Sequence, residues 1–236
     1  HDLNLIASAD ANGFVVTRSL AEDGKILDRF EIRERALGIS FNMTCGRYAV
    51  VTGKTIYVRD FENQKISWRE RQLTTPEFTC IANRPFTSFY LTGRHDGSVV
   101  LRGRGESKIV GRRPRLVGHE GPVTAVGMSA SGRLAVTASE DQTLRIWHMD
   151  TKKEIAQFPV DSVITKVAIS PDERRVIGLS KLGIHSWDLF TQRPYPVQPT
   201  LNGDDCGIAL ISDKPFAMTT GSDSAMTVYN LKTLDK

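Results

Sequence analysis

The chain has 236 residues, 31 Lys and Arg against 27 Asp and Glu, a formal net charge of +4 and 40% hydrophobic residues. That apolar content can bury a core and argues against disorder, and no run of 18 uninterrupted apolar residues exists to span a membrane as a helix. Three Cys, at 45, 80 and 206, are too few for a disulfide framework and lack zinc-ligand spacing, so an intracellular setting, cytoplasmic or nuclear, is expected.

In chain order, short apolar alternations recur in sets separated by turn residues. The first set is clipped: residues 3–9 and 13–18, then a weaker charged run at 26–32. The second set is 37–41, 48–52, 55–59 and a weaker 64–71. The third is 78–82, 88–92, 98–102 and a weaker 112–117. The fourth, 123–128, 134–139, 143–147 and 154–160, is the clearest. The fifth is 164–170, 175–179, 183–187 and 195–201, and the last is 206–211, 216–220 and 226–229. Period-two alternation in such short runs predicts half-buried strands, and the Gly, Pro, Asn and Asp between them predict tight turns. The weak member of each set suits an outer edge strand, guarded by charge and by Pro114, Pro159, Pro196 and Pro199.

Aligned on their third strands, the sets place Arg18, Arg59, Arg102, Trp147, Trp187 and Tyr229 in one column, at intervals of 41, 43, 45, 40 and 42. Four short antiparallel strands per repeat of about 40–45 residues predict a propeller.

The fourth set carries Gly118-His119, Val123, Val126, Ser131-Gly132, the stretch 137–141 and Trp147. In these residues the chain resembles the WD40 repeat family. The resemblance implies an all-β, WD40-like β-propeller of antiparallel four-stranded blades. Six blades are visible, the first lacking its first strand and the last its fourth. It also implies a hydrogen-bonded structural tetrad of His119, Ser139, Asp141 and Trp147, whose polar groups satisfy one another inside the blade. The other sets depart from the pattern: Arg or Tyr replaces Trp in four of them, and no second Gly-His pair exists.

No nucleophile elbow, phosphate loop, metal-binding helix or dinucleotide fingerprint is present, so no catalytic residue, metal or cofactor is expected. His119 reads as structural, Asp204-Asp205 as a solvated loop, and Cys80 and Cys206 as buried, inert thiols. The mixed-sign stretches 33–35 and 69–71 read as solvated edge positions.

The resemblance also implies a face for partners, where first-strand entrances meet the turns between second and third strands. The outward candidates there are His95, Glu120, Glu140 and Ser222. A separate basic stretch, with Arg102, Arg104, Lys108, Arg112, Arg113 and Arg115, reads as an edge-protecting rim or a contact for RNA or an acidic partner.

The leading expectation is a non-catalytic scaffold that binds other proteins within a multi-subunit assembly. The alternative is an RNA- or ribonucleoprotein-associated propeller using the basic rim. A propeller enzyme is a third reading, set back because the first strands offer Ser40, Thr124, Thr165 and Lys166 but no carboxylate. At the observed period a seven-bladed ring needs about 295 residues. Residues 1–236 are therefore expected to form most of one propeller domain, a piece of a longer chain that begins with His1 rather than Met.

Overall fold

The computed structural model describes residues 5–19, 21–42, 46–61, 63–71, 76–103, 115–197, 207–210, 216–220 and 226–230. The described regular structure is all strand, arranged as six antiparallel sheets. The first sheet contains β1 (Leu5–Ala9), β2 (Phe14–Ser19) and β3 (Ile26–Glu31). The second contains β4 (Gly38–Asn42), β5 (Arg47–Val51), β6 (Thr55–Asp60) and β7 (Ile66–Arg71). The third contains β8 (Phe78–Asn83), β9 (Phe89–Arg94), β10 (Val99–Gly103) and β11 (Arg115–Leu116). The fourth contains β12 (Val123–Met128), β13 (Leu134–Ser139), β14 (Thr143–His148) and β15 (Lys153–Pro159). The fifth contains β16 (Lys166–Ile169), β17 (Arg175–Ser180), β18 (Gly183–Asp188) and β19 (Arg193–Pro194), and the sixth β20 (Gly207–Leu210), β21 (Phe216–Thr220) and β22 (Met226–Asn230). These sheets are the blades of a WD40-like propeller.

Each blade is a meander in which sequence neighbours pair; in blades two to six the first strand lies innermost, whereas β1 has the register of a second strand. The inner strands β4, β8, β12, β16 and β20 touch in succession. They border a cavity of about 420 Å³, to which Thr79, Cys80, Thr124, Thr165 and Lys166 contribute. Blades stack face to face, and the core lies between them. Val15 and Ile32 of blade one meet Tyr48, Val50 and Tyr57 of blade two. Val51, Ile56 and Val58 of blade two meet Phe78, Ile81 and Tyr90 of blade three. Strands buried on both sides need apolar residues at successive positions, which is why runs such as Arg47–Val51 lose their strict alternation.

A β-bulge recurs where the third and fourth strands pair. It falls at Thr17/Arg18, Val58/Arg59 and Ile146/Trp147. The extra residue lies on the fourth strand (Leu27, Ser67 and Ile155), opposite the Arg or Trp, and bends that strand locally. One column of the repeat is therefore a single structural slot, whatever residue fills it.

Two details differ from the sequence-based expectation. Among the described residues the fourth strand of blade five is Arg193–Pro194, ahead of the expected 195–201, of which 198–201 lie outside the described residues. Tyr195 ends the pairing by donating its N–H to the Ser186 carbonyl, and Pro196 has no N–H to continue it. The fourth strand of blade three is only Arg115–Leu116 among the described residues.

Candidate functional site

Blade four holds a continuous polar chain. Trp147 Nε1–H donates to Thr137 Oγ1 at 2.8 Å, and Thr137 Oγ1 lies 2.7 Å from His119 Nε2. His119 Nδ1 lies 2.9 Å from an Asp141 carboxylate oxygen. Since the indole only donates and a carboxylate only accepts, the threonine hydroxyl donates to Nε2 and Nδ1–H donates to Asp141. Every member is satisfied with a neutral imidazole. Burial pulls the His119 pKa below its ordinary value, against the opposing pull of Asp141. Burial also pushes Asp141 upward, but bonds from Thr143, His119 and the Glu120 N–H outweigh it and hold the carboxyl below its usual range.

The hydroxyl in this chain is Thr137, not the expected Ser139. The two share a face of β13, but Thr137 lies two residues from Ala135, which faces Trp147 across the ladder. Ser139 sits at the strand end and serves the turn. It donates to the Gly121 carbonyl at 2.9 Å and accepts the Asp141 N–H at 3.1 Å.

Asp141 ties this chain to the surface. Its carboxylate accepts the N–H groups of Glu120 at 3.0 Å and Thr143 at 2.9 Å. The entrance loop of blade four and the turn between β13 and β14 are thereby fixed to one another. The turn of blade three joins them: a Cβ on Gly97, whose φ is +78°, would collide with the His119 carbonyl. The positive φ and the close approach both call for glycine there. His95, Glu120 and Glu140 are brought to this one face and are exposed. The Glu140 N–H binds the Pro122 carbonyl and the His95 N–H binds the Glu77 carbonyl, each at 2.9 Å, so equivalent backbone anchors hold both positions. Ser222 lies outside the described residues.

The model of the WD domain, G-beta repeat, matches residues 112–148. Residues 112–148 therefore carry a WD40 repeat. The chain is 30% identical over 110 residues to a periodic tryptophan protein 2 homolog of Schizosaccharomyces pombe, covering 45% of this chain and 13% of that protein. It is 25% identical over 115 residues to the target of rapamycin complex subunit wat1 of the same yeast, covering 47% and 33%. It is 26% identical over 107 residues to eukaryotic translation initiation factor 3 subunit I of Phaeosphaeria nodorum, covering 44% and 32%. The matches thus span about an eighth to a third of these relatives' lengths.

The basic rim fares differently from the face. Arg102 is buried, not a surface cation of a WD40 rim. Its guanidinium binds Glu70 and lies over the Phe78 ring, 4.8 Å from the centroid. From the third strand its side chain reaches the outer strand of the preceding blade, where a buried cation must find a carboxylate. Glu70 is accordingly a partner in an inter-blade pair rather than a solvated edge residue. Arg115 is exposed, and Arg104, Lys108, Arg112 and Arg113 lie outside the described residues.

Glu34 is also more than a solvated edge residue. Its carboxylate accepts the hydroxyls of Thr52 at 2.5 Å and Thr55 at 3.2 Å, fastening the entrance loop of blade two. Cys80 is buried, and burial pushes its thiol up to about 11. Cys206 lies outside the described residues. His185 is buried, with Nε2 2.7 Å from Ser180 Oγ and its ring stacked on Trp187.

One feature escaped sequence reasoning altogether. Phe190 is 93% exposed and lines, with Ile155, Leu189 and Arg174, a cavity of about 540 Å³ between blades four and five. It lies in a turn between third and fourth strands, on the face opposite His95 and Glu140. The signal was an aromatic residue where turn chemistry favours polar ones.

Proposed function

We propose that this WD40-repeat chain is a non-catalytic scaffold whose face bearing His95, Glu120 and Glu140 holds a protein partner within a multi-subunit assembly. The observation that carries this reading is the coupling of that face to the blade interior. Asp141 bonds both loops, so Glu120 and Glu140 stand on a preorganised surface that needs little ordering on binding. The two exposed carboxylates, which meet no cation among the described residues, suit a partner offering Lys or Arg.

The names of the relatives agree in kind. One is a subunit of a target of rapamycin complex, another a subunit of a translation initiation factor, and a third, from rice, a ribosome biogenesis protein. No described helix is long and apolar enough to cross a membrane. An intracellular site of action follows from the same reading. The domain proposed is one propeller whose ring takes at least one blade beyond the six.

The test is affinity capture with mass spectrometry, comparing the chain with a Glu120→Lys/Glu140→Lys variant of equal melting temperature, with and without RNase. Loss of a defined set of proteins from the variant, insensitive to RNase, is expected. Retention of the same set, or its release by RNase alone, sinks this reading; the second result moves the function to the basic rim.

A further inference from the structure

Blades four and five leave a cleft between them on the face opposite His95, Glu120 and Glu140. Its floor is made by Leu134 of β13, Ala156 of β15 and Leu189 after β18, which pack on the core shared by the two blades. Ile155, 47% exposed, and Phe190, 93% exposed, stand at its rim. The space between them is about 540 Å³. Ligand pockets run from about 300 to 1,000 Å³, so the cleft has room for a few large side chains and not for a folded domain.

The rim is held in place by its own backbone. Asp188 accepts the N–H groups of Phe190 at 2.9 Å and Thr191 at 2.7 Å, and the Tyr195 hydroxyl at 3.1 Å. The Leu189 N–H donates to the Arg174 carbonyl at 2.8 Å, which fixes the turn of Phe190 to the turn between β16 and β17. In that second turn Asp172 accepts the Arg174 N–H at 3.1 Å. Glu173 reaches across the seam to accept the Ser131 N–H of blade four at 3.3 Å. Phe190 and Arg174 are therefore neighbours on a fastened frame, with the aromatic ring left in water. A surface ordered beforehand loses less freedom when it binds.

The same bonds decide which charge the cleft offers. Asp172, Glu173 and Asp188 are each engaged by N–H or O–H donors of these turns. Arg174 is exposed, as is Arg133, the chain neighbour of Leu134. Neither guanidinium forms an ion pair or a hydrogen bond among the described residues. Each can still give a carboxylate two parallel N–H bonds.

We propose that this cleft docks a linear segment of a protein partner in which an aromatic or branched aliphatic side chain is flanked by Asp or Glu. The apolar side chain lies against Phe190, Ile155 and Leu134. The carboxylate pairs with Arg174, and Arg133 extends the attraction on the side of blade four. Aromatic residues and Arg are the types enriched where protein surfaces meet. Single-stranded nucleic acid can also stack on an exposed ring, but its successive phosphates would meet Asp172, Glu173 and Asp188. The cleft is separate from the face proposed above, so it gives the chain a second point of attachment.

The test pans a phage-displayed library of random dodecapeptides on the chain and measures the selected peptides by fluorescence anisotropy. The expected sequences place Asp or Glu beside Leu, Ile, Phe or Trp. Phe190→Ala and Arg174→Glu should each weaken their binding at least about tenfold, at melting temperatures equal to that of the unaltered chain. Phe86→Ala, which removes another exposed aromatic, in the turn between β8 and β9, should leave binding unchanged. Panning on Arg174→Glu should turn the flanking preference from acidic to basic, a reversal that a merely structural role for Arg174 would not produce. Failure to select any peptide, or selection only of peptides that Phe190→Ala does not weaken, overturns the inference. An oligouridine dodecamer that binds the chain and is released by Phe190→Ala overturns it by making nucleic acid the occupant. A concentration-dependent dimer dissolved by Phe190→Ala does the same for a second copy of the chain.

Discussion

Blade four and blades two and three use the same backbone slot for opposite ends. In blade four the slot holds Trp147, whose indole N–H starts a chain through Thr137 and His119 to Asp141 in the same blade. In blades two and three it holds Arg59 and Arg102, whose guanidinium groups reach the outer strand of the preceding blade. The first solution fastens the interior of a blade to its own surface loops. The second fastens one blade to the next. Blade two then secures its entrance loop by another route, through Glu34 and the hydroxyls of Thr52 and Thr55. The repeat therefore keeps one register for this slot and lets the chemistry vary within it. A buried donor must find an acceptor, but the acceptor may lie within the blade or across the seam.

The largest expected effect is at a seam. Arg59→Ala leaves the largely buried Asp28 carboxylate without its cation and the Phe30 ring without the guanidinium over it, and should cost about 3–5 kcal/mol in denaturant unfolding. The double replacement Arg59→Met/Asp28→Leu should recover most of that loss, since the charge and its partner leave together. A double variant as unstable as Arg59→Ala would mean that the seam needs the ion pair itself and not merely its neutralisation.

Blade four should respond less, and selectively. Thr137→Val keeps the shape but strands the indole N–H and His119 Nε2, at about 1–3 kcal/mol. Ser139→Ala removes a turn bond and should cost about 1 kcal/mol or less. The order of these two is the informative reading: a larger loss at Ser139 would transfer the hydroxyl role back to the strand end.

The sequence made the slot legible but not its wiring. The 40–45-residue interval and the turn residues reflect backbone geometry, which every copy must satisfy, so the strands and their blades could be read from alternation and breakers. Ser139 and Thr137 lie two residues apart on one strand face, and alternation cannot tell them apart; only the register of Ala135 opposite Trp147 does. Arg102 looked like part of a basic surface run because its acidic partner lies 32 residues away, in a different blade. Glu34 was hidden in the same manner between two arginines. Local charge pattern reports neighbours in sequence, while these pairs are made by neighbours in the ring. His95, Glu120 and Glu140 were accessible to sequence reasoning because a residue flanking a tight turn points outward whatever its identity.

The smallest effect separates the two solutions by pH. His119 and His185 are held below the ordinary imidazole range by burial, His119 against the pull of Asp141 and His185 against that of Asp161. Their folded forms therefore stay neutral where the unfolded chain takes up protons. The stability they contribute is complete above an unfolded pKa of about 6.5 and is lost as pH falls through the lower folded values. Asp141, also lowered, acts in the same direction but further into acid, below its unfolded value of about 3.9. Between pH 7 and pH 5.5 the unfolding midpoint should thus decline, and His119→Gln combined with His185→Gln should flatten the decline while lowering the midpoint at pH 7. Hydrogen exchange should place the change in β13, β14, β17 and β18, where these histidines bond, and not in β5 and β6 around Arg59. Equal loss of protection in both regions would mean that acid opens the ring at its seams, and that the contrast between the blades is one of geometry without a separate energetic signature.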